Sequence, residues 1–199
     1  IIDPQMNEIG TISVDAGTNI IFALTVIDET VYAVMADLAD NSIVGTYRVA
    51  ADGTTTFLAQ GFGFATNDPQ RLFILDAGSF SVLDLTDDTQ STPLVVPANS
   101  LRDSRVFDGK YLAVSATNGT DTIVHILDVN GNVTTVTIPD ASFAQFDYTD
   151  DLFTVTTTNG TTDQLTLIRM TTAAPNQAPV LNVGQEPTID EINTMTGTV

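Results

Sequence analysis

The sequence predicts an all-β chain built from four small antiparallel sheets of four strands each, and three observations carry that expectation. A unit of about forty residues recurs. Its anchor is a half-buried strand at Val31-Tyr32-Ala33-Val34, Leu72-Phe73-Ile74-Leu75, Tyr111-Leu112-Ala113-Val114 and Leu152-Phe153-Thr154-Val155, at spacings of 41, 39 and 41 residues. Turn dipeptides such as Asp108-Gly109 and Asn130-Gly131 divide the alternating apolar runs, as a tight hairpin with positive φ at its centre requires. No segment sustains a 3.6-residue apolar period, so little helix is expected.

In the first unit, strands are expected over Ile20 to Val26, Val31 to Ala36, Ile43 to Val49 and Thr54 to Ala59, the last two joined through Asp52-Gly53. The second unit is more compact, with Gly63 to Ala65, Leu72 to Asp76, Ser79 to Leu85 and Leu94 to Val96. The third runs Ser104 to Asp108, Lys110 to Thr117, Thr122 to Val129 and Val133 to Ile138. The fourth repeats that plan with Phe143 to Tyr148, Leu152 to Thr158 and Gln164 to Met170. A short strand at Thr11 to Val14 is expected to complete the last sheet, with Pro179 to Val183 competing for the place.

One four-stranded sheet has two faces and cannot cover both alone, so repetition points to sheets packed on one another. The four units resemble the blades of a β-propeller, over residues 12–183. That resemblance implies a β-propeller-like array of four four-stranded blades, either a small ring or part of a larger one with further blades before Ile1. Neither a Trp-Asp dipeptide, a kelch double glycine nor an Asp-box is present, so no propeller subfamily is indicated. Two β-sandwiches of about a hundred residues each are the structural rival.

The propeller-like domain is expected to span residues 1–175. At Ala173 the composition changes, and Ala174 to Leu181, punctuated by Pro175 and Pro179, reads as an extended linker, because each proline restricts its predecessor. The run NQAPVLNVGQEPTIDE, residues 176–191, resembles the opening of the cadherin-like and immunoglobulin-like repeats of bacterial and archaeal surface proteins. Residues 176–199 are therefore expected to form a linker, the start of a following domain or an exchanged strand. Residues from Gly184 onward are expected to find no partner strand within the chain.

Composition narrows the partners. The chain has 199 residues, 25 acidic against six basic, for a net charge of −19. Such a surface repels nucleic acid and anionic lipid. No apolar run approaches the roughly 18 residues of a membrane-spanning helix. Threonine fills about one position in six, Lys110 is the single lysine, and cysteine is absent. The lack of cysteine removes thiolate catalysis and thiolate metal sites. This balance suits a secreted protein in salty or calcium-containing surroundings.

Several residues could carry chemistry. His125 is the only histidine and lies mid-strand in Ile123-Val124-His125-Ile126-Leu127, a poor place from which to activate a nucleophile. Aspartates precede the anchor strands at Asp28, Asp68, Asp108, Asp150 and Asp151, and others lie in later hairpins at Asp52, Asp87, Asp88 and Asp128. Turn chemistry predicts that placement, because Asp tolerates the left-handed region and bonds its own backbone. Asp128-Val129-Asn130-Gly131-Asn132 resembles part of a calcium loop but lacks the later bidentate Glu. Arg48 and Arg169 fill matching places in their units, where Asp84 and Asp128 stand in the other two. Asn118, Asn132 and Asn159 begin formal glycosylation sequons.

No catalytic or cofactor-binding residue is assigned, no metal ligand is fixed, and calcium is the one cofactor considered. The expected role is a non-catalytic structural or recognition module of an extracellular or cell-surface multidomain protein. Its expected partners are other surface proteins, glycans or copies of itself, with neither nucleic acid binding nor membrane insertion. Two alternatives stand beside it: a secreted glycan-active enzyme on a propeller scaffold, and a subunit of an extracellular filament assembled by strand exchange.

Overall fold

The computed structural model describes residues 13–14, 16–40, 42–97, 99–141, 143–158, 160–170, 182–183 and 193–198. The fold is all-β. Two compact units divide the chain, Ile1–Pro93 and Leu94–Val199.

The first unit holds two antiparallel sheets. One has the order β1 (Asn19–Ile27), β2 (Thr30–Asp37), β3 (Ile43–Val49) and β4 (Thr55–Ala59); the other joins β5 (Phe62–Ala65), β6 (Arg71–Asp76), β7 (Ser79–Asp84) and β8 (Thr89–Gln90). The hairpins follow from their turn residues. Asp28 and Glu29 take φ of 45° and 63°, and Ala77 and Gly78 take 41° and 95°, so both turns have the two consecutive positive φ values that match strand twist. The sheets share a core of Tyr32 and Ala59 from one and Leu72, Ile74 and Leu83 from the other. Leu72, Ile74 and Leu83 each contribute about 1.5–3 kcal/mol through that burial. The sheets approach closely where Thr46 meets Gly63: a Cβ on that glycine would lie 2.8 Å from the Thr46 side chain. Thr46 Oγ1 also donates to the Gly61 carbonyl at 2.9 Å, holding the crossing strand in place.

The second unit opens with the two-residue strand β9 (Leu94–Val95) and again holds two sheets. One has the order β10 (Leu101–Phe107), β11 (Tyr111–Thr117), β12 (Thr122–Asp128) and β13 (Val133–Ile138). The other joins β14 (Phe143–Thr149), β15 (Leu152–Thr158) and β16 (Asp163–Arg169) to β17 (Asn182–Val183) and β18 (Asn193–Thr198), in the order β14-β15-β16-β18-β17. Asp108-Gly109 and Asp150-Asp151 repeat the paired positive φ. Ala113, Val124, Ile126, Val136 and Ile138 face Phe146, Phe153, Val155 and Ile168 in one core. Thr122 Oγ1 donates to the Ala141 carbonyl at 2.8 Å, much as Thr46 secures the crossing in the first unit.

Two expectations are corrected. The four sheets are separate and antiparallel, save for the parallel pair β17–β18, and none is closed into a barrel or a propeller. The β-propeller-like reading therefore fails, and paired sheets, the sandwich-like rival, describe each unit better. The physical reason is that the repeat specifies sheets with apolar faces, and burying such faces does not by itself require a closed ring. The outer face of the first sheet stays partly exposed at Leu24, Val26 and Phe57. The second correction concerns the tail. β18 pairs antiparallel with β16, from Gln164↔Thr198 to Ile168↔Thr194. Residues 193–198 thus have a partner strand in the chain, supplied by the edge of β16 and favoured by their threonines. Residues 171–181 and 184–192, with most of the expected linker, lie outside the described residues, as do Thr11 and Ile12; Ser13 and Val14 are described and form no strand.

Candidate functional site

Two places gather side chains that could act. The first lies in the second unit, where the β10–β11 and β14–β15 turns meet. Asp151, held at φ 61° by its turn, presents Oδ1 to two donors: Tyr148 Oη donates at 2.6 Å and Lys110 Nζ at 3.3 Å. The rings of Tyr148, Tyr111, Phe107 and Phe153 pack beside them, with Phe107 edge-on to Phe153 at 5.3 Å and Tyr111 to Phe153 at 5.6 Å. Burial, reinforced by the Asp151 and Asp128 charges, pushes the Tyr111 phenol up to about 12. Burial and the bond to Asp151 push Tyr148 up as well. The Tyr148 hydroxyl, helped by Lys110, holds the Asp151 carboxyl below its ordinary range. A weakened acid beside a weakened base is the reverse of what acid–base catalysis near neutrality needs. The cluster ties two hairpins together.

The second place is the outer face of the first sheet. Register puts Leu24 opposite Ala33, Ala33 opposite Tyr47 and Tyr47 opposite Phe57, an apolar row across all four strands. Val26, Val31 and Val49 form the next row. Val14 and Ala16 pack over the centre with Ala33, Met35 and Val49. The β1 rim stays open: Leu24 is 59% exposed and Val26 63%. A bulge at Phe22 brings Ile21 onto the same face. β1 is an edge strand in the described sheet, and its nine residues carry no charge and no proline.

The residues singled out from sequence are dispersed. His125 lies half-buried on β12, its Nδ1 bonded to Thr135 Oγ1 at 2.9 Å, with burial lowering its pKa. Asp52, Asp68, Asp84, Asp87 and Asp128 each accept a backbone N–H two residues on, which is turn capping. The Thr54 N–H and hydroxyl hold Asp52 below the ordinary carboxylate range, and the Thr86 hydroxyl and N–H do the same for Asp84. Asp128 also takes the Asn132 N–H and side-chain amide, so its oxygens serve the loop considered for calcium. Among the described residues no three His, Cys, Asp or Glu side chains group as a metal site would need. Asn118 Oδ1 accepts from Thr120 and Asp121 N–H groups. Thr134, whose hydroxyl completes the Asn132 sequon, is buried, and Asn159 lies outside the described residues. Among the described residues no helix is long and apolar enough to cross a membrane.

Arg48 finds its partner in a turn rather than in a matching place of another repeat. It grips Asp88 at 2.6 and 3.3 Å and donates to the Leu85 carbonyl at 3.2 Å. Asp84 instead lies 4.0 Å from Arg71. The Lys110–Asp151 and Arg48–Asp88 pairs were not foreseen, yet a signal existed. Their partners stand 41 and 40 residues apart, one repeat step, so opposite charges one period apart mark facing sheets.

No protein-family model and no curated protein sequence matches this chain. Several solved structures share a loose likeness with it, two among them being the following. The crystal structure of Porphyromonas gingivalis dipeptidyl peptidase 4 has 12% identity and a TM-score of 0.44, covering 79% of this chain and 30% of that one. Dihydro-heme d1 dehydrogenase NirN in complex with DHE has 13% identity and a TM-score of 0.43, covering 83% and 41%. The chain spans less than half the length of either. Neither likeness carries an argument about fold or activity.

Proposed function

We propose that this chain is a non-catalytic structural module of an extracellular or cell-surface assembly, and that it works by strand association with copies of itself. The observation that carries this reading is β1, an uncharged edge strand exposing Ile21, Leu24 and Val26 beside the apolar row that ends at Phe57. Edge strands are ordinarily protected by charge or proline, and contiguous exposed apolar surface marks an interaction site. Here only the bulge at Phe22 interrupts the edge.

Charge selects both partner and direction. With a net charge of −19, a second copy is acceptable only where its acids stay apart. Antiparallel pairing of two β1 strands about Ala23 sets Ile27 against Asn19, and the Asp28–Glu29 turn against the neutral Gly17–Thr18. The two acidic turns then lie about 34–41 Å apart, at roughly 3.4 Å per residue, well beyond the ~10 Å screening length at 0.1 M salt. Parallel pairing would place the same turns side by side, at about 4.8 Å.

Sedimentation velocity of the full chain, across a wide concentration range at low and moderate salt, tests the proposal. Association should rise with concentration and with salt, and the Leu24→Lys/Val26→Lys variant should remain monomeric. A wild type that is monomeric throughout, or a variant that associates as the wild type does, would refute it.

A further inference from the structure

The core of the second unit has two unlike ends. At one, Tyr111, Tyr148 and Phe153 pack beside the Lys110–Asp151 pair. The other end is polar. Ser115 Oγ, Thr157 Oγ1, Thr166 Oγ1 and Gln164 Oε1 are buried and find no hydrogen-bond partner among the described residues. Ser115 and Thr166 are 0% exposed and Thr157 is 1% exposed.

Register places all four in the layer between the sheets. Side chains alternate along a strand, so Ser115 shares the face of Tyr111 and Ala113, and Thr157 that of Phe153 and Val155. Thr166 shares the face of Ile168. Those apolar residues make up the common core. Thr157 lies directly opposite Gln164, and Thr166 opposite the adjacent Val155, so these three side chains are neighbours. Ser115 and Thr157 each stand four residues beyond a ring of the Tyr111–Phe153 contact. Both strands start from the turns that Lys110 and Asp151 tie together, so the four-residue step carries both toward the same end. Thr134, the fifth oxygen of this kind, lies on the outer strand β13 and is no part of this group.

Native cores rarely leave buried polar groups unmet, and an explanation is owed where several gather. In the first unit the buried Thr46 reaches a carbonyl; these four have none. We infer that this end of the core is a binding site for internal water, with one or two molecules bridging Ser115, Thr157, Thr166 and Gln164. A buried water makes about three hydrogen bonds, and three hydroxyls with an amide oxygen supply both donors and acceptors for that many. The set holds no carboxylate, so no negative charge is present to offset the desolvation of a cation.

Isosteric substitution reads the sign. Where a hydroxyl is bound to water, Thr157→Val and Thr166→Val each leave that water short of a partner, and the thermal midpoint of the full chain should fall by about 3–6 °C. Where the hydroxyls are unmet, the same substitutions remove a buried polar liability and the midpoint should rise, which overturns the inference. Water-17O relaxation dispersion on the wild type needs no variant. It should show long-lived internal water that is reduced in Thr157→Val, and its absence would overturn the inference even if a variant failed to fold. A wild-type midpoint that rises with sodium or potassium but not with choline at equal ionic strength, and loses that difference in Thr166→Val, would identify a cation instead and overturn the water assignment.

Discussion

Replacing Asp151 with Asn tests the tie between the two hairpins of the second unit and nothing else, because the side chain keeps its shape and one acceptor oxygen. In the wild type that oxygen takes the Tyr148 hydroxyl at 2.6 Å and the Lys110 ammonium at 3.3 Å. A hydrogen bond to a charged group contributes about 1.5–3 kcal/mol, a neutral one about 0.5–1.5, so the Tyr148 bond should lose roughly 1 kcal/mol. The Lys110 pair adds little. Its side chains are 41% and 33% exposed, and solvent screening leaves such pairs at about 0–1 kcal/mol. Together the loss should be about 1–2 kcal/mol, or roughly 5–10 °C in thermal midpoint for a unit of this size. The pH dependence is the sharper check. The folded-state pKa of Asp151 lies below its ordinary 3.8. Its contribution is therefore complete above that ordinary value and is lost as pH falls through the folded one. Scanning calorimetry should show the full gap between wild type and variant from pH 6 to 8, narrowing below about pH 4. On the alkaline side the sign reverses. The raised Tyr111 and Tyr148 values give stability that is present below pH 10 and lost as pH climbs through about 12. Absorbance at the phenolate band should show these tyrosines ionising at lower pH in Asp151→Asn. Equal midpoints at neutral pH, or a gap that persists undiminished in strong acid, would refute the reasoning.

Three further outcomes follow from the fold. Gly45→Ala should destabilise the first unit by about 1–3 kcal/mol in chemical denaturation, because the new methyl would meet the Ala59 carbonyl and the Phe57 ring at 2.7 Å each. Truncation of Asn193 to Val199 should lower the thermal midpoint of the second unit by several degrees, because it strips β18 from the edge of β16; an unchanged midpoint would show that the pairing contributes nothing. With a net charge of −19, the midpoint of the whole chain should rise between low and moderate sodium chloride as self-repulsion is screened, which circular dichroism can follow.

Periodicity and turn chemistry were legible in the sequence because both are local. Asp28-Glu29, Asp108-Gly109 and Asp150-Asp151 set their own positive φ values, and the strands between such turns fall within a few residues of expectation. In the second repeat an extra short strand at Thr89–Gln90, after a turn capped by Asp84 and Asp87, precedes the expected one, which is present at Leu94–Val95. The scatter of aspartates was also readable, since a carboxylate that bonds the N–H two residues on needs no distant partner. The candidate sites were harder to see. The exposure of Leu24 and Val26 depends on which face finds a cover, and apolar alternation looks the same on either side of a strand. The polar end of the second core is invisible for a similar reason: Ser115 and Thr157 read as ordinary strand residues until two sheets enclose them.

The sequence by itself determined an all-β chain, the positions of most strands and turns, and an acidic surface. Those follow from side-chain period, left-handed turn preferences and composition, which act over a few residues. Only the tertiary structure decided that the sheets pair within two units rather than closing a ring. It also decided that β18 completes the edge of β16, and that Lys110 meets Asp151 across 41 residues. Such choices depend on which apolar face meets which, and many pairings bury similar area, so the local pattern cannot choose among them.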